Sequence, residues 1–221
     1  MFATVAAVRT SRSGTQAAVG SRQGDLFAQG PPALDPAASV ERLHLDDRSW
    51  IDTSSRWLCG GDELLESLVA RLRWTRAERP MYGRMVDEPR LGAFVRPGSP
   101  GSPPLLDDMA GVLAARYRSG FNSVWVNYYR GGDDSVAWHS DRIGIDPADA
   151  VVAIVSLGGP RRFRLRPAGG GPGRSFTLAS GDLLVMGGAC QQDWEHSVPK
   201  VAAAAPRMSV TFRHTAARAG Q

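Results

Sequence analysis

The sequence predicts a mainly β domain in which two sheets pack as a jelly roll and helices support one of the sheets. Before residue 120, two stretches carry apolar residues at helical spacing. From residue 122 onward, the chain is a series of short segments rich in Val, Ile and aromatic residues, separated by Gly and Pro. Two helices followed by many short strands favour this double-sheet class of fold.

The predicted helices precede the strands. The first is capped by Asp62 and keeps its apolar spacing through Leu72, and the second runs from Pro104 to Arg118 and is closed by Gly120. Residues 74 to 103, rich in Pro and Gly, are predicted to form loops and short hairpins rather than core. The strands predicted after the helices are Ser123–Tyr129, Val136–Asp141, Ala150–Leu157, Arg161–Arg166, Ser175–Leu178, Asp182–Met186 and Met208–Arg213.

Residues 1 to 45 are predicted to be a flexible tail, because they are rich in Ala, Gly, Ser and Arg and lack hydrophobic periodicity. Residues 46 to 221 are predicted to form one domain, since the chain is too short for two. Within the tail, Gln23-Gly24-Asp25-Leu26-Phe27 resembles the peptide with which bacterial DNA-handling proteins dock on the sliding clamp.

The basic residues are almost all arginine, with Lys200 as the exception, and the net charge is +4. Arginine suits phosphates and stacks on bases, so this composition permits a nucleic-acid partner. A GC-rich genome, whose codons favour arginine, explains the same bias.

The two cysteines, Cys59 and Cys190, do not make a disulfide framework and are predicted to be reduced thiols of a cytoplasmic protein. No apolar run approaches the roughly 20 residues that span a bilayer, so no membrane segment is predicted. A monomer is the default expectation.

A candidate metal site begins with His139 and Asp141. Residues two apart on a strand project from the same face, so both side chains can reach one cation. Of the other histidines, His44 precedes the predicted domain and His214 lies at its end, which leaves His196 as the third ligand. Two histidines and one carboxylate leave open positions on non-haem iron(II); zinc or another divalent ion is an alternative, and unrelated surface histidines are another.

A candidate anion site lies on the last predicted strand. Arg207 and Arg213 are six residues apart, so they share one face of that strand. Two inward guanidinium groups are costly unless they meet anions, and a dicarboxylate such as 2-oxoglutarate supplies one at each end. Asn127 and Tyr129 share a face of an earlier strand and would add hydrogen-bonding groups. The alternative is that each arginine pairs with a surface carboxylate.

These motifs together resemble the AlkB family of Fe(II)- and 2-oxoglutarate-dependent nucleic-acid dealkylases. The similarity runs from about Trp74 to Arg213 with order and spacing preserved. The segments that carry it are Phe121-Asn122-Ser123, Asn127-Tyr128-Tyr129-Arg130, Asp134 to Asp141, Ser156-Leu157-Gly158, Arg162-Phe163, Gly181 to Met186, Asp193 to Lys200 and Pro206 to Arg213.

The resemblance implies a double-stranded β-helix, or jelly roll, of the α+β kind. It implies Fe(II), 2-oxoglutarate and dioxygen as cofactors and cosubstrates, and oxidative removal of alkyl groups from bases of DNA or RNA. The catalytic iron ligands would be His139, Asp141 and His196. The residues that hold 2-oxoglutarate would be Asn127, Tyr129, Arg207 and Arg213.

Residues 74 to 103 would correspond to the nucleotide-recognition lid of the family. The candidate substrate contacts in this lid are Trp74, Arg90 and Phe94, and the Phe94 ring would face His139 across a flipped base. The alternative is that Phe94 only packs within the lid.

The sequence departs from the family pattern at two places. Arg142 and Ile143 follow Asp141, where such enzymes usually carry acidic residues that can read an exocyclic amino group. This puts the choice of base in doubt. Ser209 stands where the family commonly has asparagine, which should only loosen 2-oxoglutarate binding.

Three other functions remain open on the sequence. An oxygenase of the same fold could act on a protein or a small molecule. A nucleic-acid-binding module could have lost the metal, and a zinc hydrolase on a β-barrel would use neither dioxygen nor 2-oxoglutarate.

Overall fold

The computed structural model describes residues 30–81, 83–141 and 150–215. The helices of this part are α1 (Gly61–Arg71), α2 (Pro104–Tyr117) and α3 (Cys190–Asp193). Its strands are β1 (Ala33–Leu34), β2 (Glu41–His44), β3 (Ser49–Ser54), β4 (Leu58–Cys59), β5 (Glu78–Met81), β6 (Arg84–Asp87), β7 (Leu91–Val95), β8 (Ser123–Tyr129), β9 (Val136–His139), β10 (Val152–Gly158), β11 (Arg161–Pro167), β12 (Arg174–Leu178), β13 (Leu183–Gly188), β14 (Trp194–Val198) and β15 (Arg207–Arg213).

Two antiparallel sheets form the framework. The major sheet has the order β2-β3-β13-β10-β15-β8-β7, and the minor sheet has the order β12-β11-β14-β9. Strands distant in sequence are neighbours in both sheets, as expected for a jelly roll. The predicted mainly β fold with two packed sheets and supporting helices is confirmed.

The centre of the major sheet is buried on both faces. On β10, Ala153 and Val155 belong to the core that contains the buried side chains of α1 and α2. Val152 and Ile154, on the opposite face of β10, belong to the core shared with the minor sheet. This alternation follows from the two-residue period of a strand, and it explains why β10 reads as a continuous apolar run.

The two long helices lie where they were predicted, but the predicted cap of the first is wrong, because Gly60 is the N-cap and Asp62 lies in the first turn. In α1, Leu64 and Leu68 are buried at the helical spacing of four residues.

In α2, Pro104 occupies the first turn, where its missing N–H has no partner to lose. The helix ends at Arg118, which adopts a left-handed conformation with φ 51°, two residues before the predicted Gly120.

The start of the domain differs from the predicted boundary after residue 45. β1 pairs with β4, and β2 pairs with β3 at the edge of the major sheet. Arg42 on β2 is held by a bidentate ion pair with Asp52 on β3, with N–O distances of 2.7 and 3.0 Å. The signal was missed because all four residues of β2 are exposed, so the strand shows no apolar alternation. The peptide Gln23–Phe27 lies outside the described residues.

The predicted loop region 74–103 contains the expected hairpin, formed by β5 and β6. The prediction that this region stays out of the core was wrong for β7. This strand is the edge of the major sheet beside β8, and it buries Ala93 and Val95.

None of the helices in the described residues is long and apolar enough to cross a membrane.

Candidate active site

A cavity of about 230 Å³ opens between the two sheets. β8 and β15 of the major sheet supply one wall, and β9, β11 and β14 of the minor sheet supply the facing wall. The segment from Thr75 to Gly92 covers a third side. The cavity therefore lies where the two sheets and the region predicted as a lid meet.

Three potential metal ligands meet at this cavity. Ligand atoms of His139, Asp141 and His196 all lie within 4.8 Å of one another. His139 ends β9 and pairs with His196 on the neighbouring β14, with ring centroids 4.2 Å apart. The predicted grouping of these side chains is thus confirmed, although Asp141 lies beyond the end of β9 rather than on it.

Both imidazoles are set to offer a lone pair. His139 Nδ1 lies 2.9 Å from the carbonyl oxygen of Ala137, which can only accept, so Nδ1 carries the proton and Nε2 is free to ligate. Burial lowers the pKa of His196 to about 3, so this ring is neutral near neutral pH. Neutral histidine is the form that binds metals.

Asp141 is positioned by contacts that the sequence did not indicate. Its backbone N–H donates to Gln191 Oε1 at 2.8 Å, and Gln191 Nε2 donates to the Met186 sulfur at 3.6 Å. Arg213 Nη2 donates to Asp141 Oδ1 at 2.7 Å. Asp141 Oδ2 is buried and has no hydrogen-bond partner in the described residues. A buried carboxylate oxygen without a partner, beside two imidazole side chains, fits a divalent transition metal.

The predicted anion site is also assembled at the cavity. Arg207, Ser209, Thr211 and Arg213 all line it, as expected for alternate residues of β15. Arg207 is 1% exposed, and burial lowers the pKa of its guanidinium group.

The two guanidinium groups are only partly paired. Arg207 Nε donates to Ser156 Oγ at 3.1 Å, while its buried Nη1 has no partner among residues 30–81, 83–141 and 150–215. Within the same ranges, the buried Nε of Arg213 has none either. Asn127 and Tyr129 line the same wall, and the Arg207 guanidinium lies 5.2 Å from the Tyr129 ring centroid. Buried cationic donors left unpaired fit an anionic ligand.

Arg90 connects the segment from Thr75 to Gly92 to this wall. Its Nε donates to Asn127 Oδ1 at 3.1 Å, and its Nη2 lies 3.0 Å from Oε2 of Glu88. Both Arg90 and Glu88 line the cavity. Glu88 was missed because a carboxylate in a Pro- and Gly-rich segment is usually a solvent-exposed residue, whereas this side chain is only 19% exposed.

The other predicted substrate contacts lie elsewhere. Trp74 packs on Tyr128, with ring centroids 5.4 Å apart, and belongs to the core on the other side of β8. Trp74 is therefore corrected to a packing residue, because its ring covers the core face of the sheet. Phe94 does not line the cavity but packs against Trp125, which does, and their ring centroids are 5.4 Å apart. Arg142 and Ile143 lie outside the described residues.

Comparison with known proteins agrees with this geometry. The model of the 2OG-Fe(II) oxygenase superfamily matches residues 70–213. The chain is 33% identical over 186 residues to the DNA oxidative demethylase ALKBH2 of Arabidopsis thaliana, covering 66% of this chain and 59% of that protein. It is 31% identical over 176 residues to the alpha-ketoglutarate-dependent dioxygenase alkB homolog 3 of Homo sapiens, covering 69% and 60%.

A solved structure, that of OsALKBH1, shares the fold with a TM-score of 0.57 at 13% identity, covering 79% of this chain and 100% of that one. The chain spans about 60% of the length of the two curated relatives. The superfamily model, in contrast, covers well over half of this chain. The chain belongs to the 2OG-Fe(II) oxygenase superfamily, and its relatives identify it as a member of the AlkB family.

Proposed function

We propose that this chain is an Fe(II)- and 2-oxoglutarate-dependent dealkylase that removes N-linked alkyl groups from bases of DNA. The observation that carries the proposal is the single cavity that joins a His-Asp-His cluster to two partly unpaired buried arginines. The names of the relatives, which include DNA oxidative demethylase, support DNA as the substrate. RNA remains an alternative nucleic acid for the same chemistry.

The iron ligands of this proposal are His139, Asp141 and His196. Fe(II) and 2-oxoglutarate, when bound, supply the oxidation of a substrate C–H bond by dioxygen, with succinate and carbon dioxide as coproducts. Burial keeps the His196 imidazole neutral, while Ala137 orients His139 and Gln191 orients Asp141. Such supporting hydrogen bonds fix the direction of ligand lone pairs before the metal arrives.

The cosubstrate site of this proposal is the wall formed by β8 and β15. Arg207, buried and partly unpaired, would hold the distal carboxylate of 2-oxoglutarate. Arg213, Asn127 and Tyr129 would complete the site. Arg213 already contacts the metal-binding carboxylate of Asp141, so the cosubstrate and metal sites share a residue.

The substrate side of this proposal is the lid wall of the cavity, with Arg90 and Glu88 as contacts and Phe94 outside the lining, against Trp125. A base turned out of the strand would enter between the sheets, where its alkyl carbon can approach the His-Asp-His site and bulk water is excluded. Hydroxylation of that carbon gives an N–C–OH group, which releases an aldehyde and leaves the N–H of the restored base.

Succinate formation tests this proposal. The purified protein, supplied with Fe(II) and 2-oxoglutarate, should form succinate faster with a methylated oligonucleotide than with the unmethylated one. His139→Ala should abolish the stimulated rate, while His44→Ala should retain it, because His44 is an exposed residue of β2 outside the cavity.

Each outcome of this assay has a consequence. Succinate formed equally with and without the methyl group would move the substrate to a protein or a small molecule. Iron binding without any succinate would contradict the oxygenase proposal itself.

A further inference from the structure

Two neighbouring aromatic side chains, one of which lines the cavity, are half exposed. Phe94 is 50% exposed and Trp125 is 41% exposed, although both are large apolar groups. They are direct cross-strand partners on β7 and β8, and their rings are tilted by 58°. We call Phe94 and Trp125 the aromatic rim.

The aromatic rim continues the wall of the proposed active site. On β8, Trp125 shares its face with Asn127 and Tyr129, and all three line the cavity. Exposure rises along this face from 2% at Tyr129 to 41% at Trp125. The rim is therefore the point at which the cavity wall reaches solvent.

Open space lies beside the rim at Gly92. This glycine lines the cavity two residues before Phe94, and a Cβ built there would meet no atom within 4 Å. Its backbone does not need the left-handed conformation, since its φ lies outside the positive range. A flat group can thus lie against the rim over Gly92 without displacing a side chain.

We propose that the aromatic rim stacks against the base next to the target nucleotide in a single-stranded nucleic acid. This inference rests on the proposed function. The target base must reach His196 and Asp141, which are 5% and 8% exposed, whereas Trp125 of the rim lies at the exposed end of the β8 wall, where the strand on either side of that base would leave the cavity. The neighbouring nucleotide is therefore the group within reach of the rim.

The chemistry of stacking defines the partner further. Every base offers a π-face, so the rim accepts any neighbour and reads no sequence. In a duplex the faces of the neighbouring bases are already stacked and paired, so the rim can be used only after that stack is broken. The rim consequently favours single strands over duplexes that carry the same lesion.

Binding measurements on modified strands test the inference. The enzyme, with Mn(II) replacing Fe(II) so that no turnover occurs, is titrated with a fluorescent single strand that carries one methylated base. In matched strands, the nucleotide on the 5′ or the 3′ side of the lesion is replaced by an abasic residue. Trp125→Leu and Phe94→Leu are compared with Val112→Ala, which removes another exposed apolar side chain on α2.

The expected result is a thermodynamic coupling. Trp125→Leu should weaken binding of the intact strand about tenfold, which is the order of one lost base–aromatic stack. The same change should have little further effect on one of the two abasic strands, namely the one that lacks the base stacked on the rim. Gly92→Leu should weaken binding similarly by filling the gap while both rings remain, and Val112→Ala should change nothing.

The inference would be overturned if the loss of affinity from Trp125→Leu added fully to the loss from an abasic residue on either side of the lesion. It would also be overturned if a duplex bound as tightly as the single strand and lost as much affinity on Trp125→Leu. These results differ from failure of the proposed function, in which the wild-type protein with Fe(II) releases no aldehyde from any methylated strand. Circular dichroism of each variant establishes that it is folded before binding is compared.

Discussion

At the scale of single residues, the His-Asp-His site depends on a carboxylate whose residue lies outside the helices and strands of the described chain. Asp141 lies past the end of β9, and its backbone N–H is fixed by the side-chain oxygen of Gln191 on α3. Gln191 is itself fixed by the sulfur of Met186 on β13. This relay places the carboxylate beside His139 and His196 without the aid of strand geometry.

We predict that Gln191→Leu weakens metal binding by about tenfold or more, which is usual for loss of a hydrogen bond that supports a ligand. The physical reason is that the Asp141 N–H loses its acceptor and the carboxylate becomes free to reorient. Titration of the metal-free protein with Co(II), followed by its visible absorption, measures the affinity. Gln192→Leu is the matched control, since Gln192 is the exposed neighbour on the same helix. Equal affinity in both variants would contradict a positioning role for Gln191.

Glu88 is the second residue whose role follows from its place in the cavity. Among the described cavity-lining residues, Asp141 and Glu88 carry the carboxylates, and Asp141 belongs to the metal cluster. Arg90 holds Glu88 Oε2, which orients the carboxylate on the lid wall. A carboxylate accepts a hydrogen bond from an exocyclic amino group and repels a carbonyl oxygen.

We predict that Glu88→Gln lowers the preference for alkylated adenine or cytosine over alkylated thymine by about tenfold, the order of one lost charged hydrogen bond. The ratio of kcat/KM values for single-lesion oligonucleotides measures this preference. Asp87→Asn is the control, because it also removes one negative charge, at the neighbouring residue, which is 52% exposed and does not line the cavity. This variant should keep the wild-type ratio. An unchanged ratio in Glu88→Gln would remove Glu88 from base selection.

Residue spacing predicted the arginine pair, because Arg207 and Arg213 are alternate residues of one strand. It also grouped His139 with Asp141, although Asp141 lies past the end of β9, and His196 was identified by elimination among the histidines.

Residue spacing could not predict Gln191 or Glu88. Gln191 meets Asp141 across 50 positions of sequence, and a glutamate in a Pro-rich segment carries no local sign of burial. Trp74 shows the opposite error, since an aromatic residue near a predicted site proved to face the core.

At the scale of elements, α1 supports the major sheet, whose strands β8 and β15 form one wall of the cavity. Leu68 is fully buried in the core beneath that sheet, while its neighbour Val69 is 36% exposed. The helix contacts β10, which is the central strand of this sheet and pairs with β15. Packing of α1 therefore stabilises the strand on which Arg207 and Arg213 lie.

We predict that Leu68→Ala lowers the free energy of unfolding by about 2–5 kcal/mol, because it leaves a cavity under the sheet. Val69→Ala should change it by less than about 0.5 kcal/mol. Urea denaturation followed by circular dichroism measures both values. Equal losses in the two variants would show that α1 does not pack as described.

The elements with regular apolar patterns were predictable, and those without them were not. The major-sheet strands β8, β10, β13 and β15 were predictable because each carries several buried apolar residues. β14, which carries His196, was missed because Trp194 to Val198 mixes charged and polar residues with apolar ones in a stretch of only five. Edge strand β2 is wholly exposed and has no pattern to read.

At the scale of the whole molecule, burial of a neutral histidine links stability to pH. The pKa of His196 is lowered by burial from its ordinary 6.5 to about 3. Between these values the unfolded chain binds a proton at this residue and the native protein does not. The native state therefore loses stability as pH falls below 6.5.

We predict that His196 makes the free energy of unfolding of the metal-free protein pH-dependent. Its contribution should decrease by up to about 1.4 kcal/mol for each pH unit below 6.5. The contribution should be absent in His196→Gln and present in His44→Gln, since His44 is exposed. Urea titrations at several pH values between 4.5 and 7 measure the slope. The same slope in wild type and His196→Gln would contradict the neutral, buried state of this ring.

The arrangement of the two sheets and the segment from Thr75 to Gly92 around one cavity could be expected only from the family resemblance. Local patterns do not give the strand order, because β3, β10, β13 and β15 are adjacent although long stretches of chain separate them. The depth at which Arg207 lies and the half-exposed position of Phe94 follow from that order.

The most direct test of the central claim follows the alkyl carbon itself. A single-stranded oligonucleotide carrying one base with a ¹³C-labelled N-methyl group is incubated with the protein, Fe(II) and 2-oxoglutarate, and the products are analysed by mass spectrometry. We predict labelled formaldehyde, the unmodified base and succinate in equal amounts, and none of the labelled aldehyde with His139→Ala. Succinate without labelled formaldehyde, at an intact methylated base, would contradict the dealkylase.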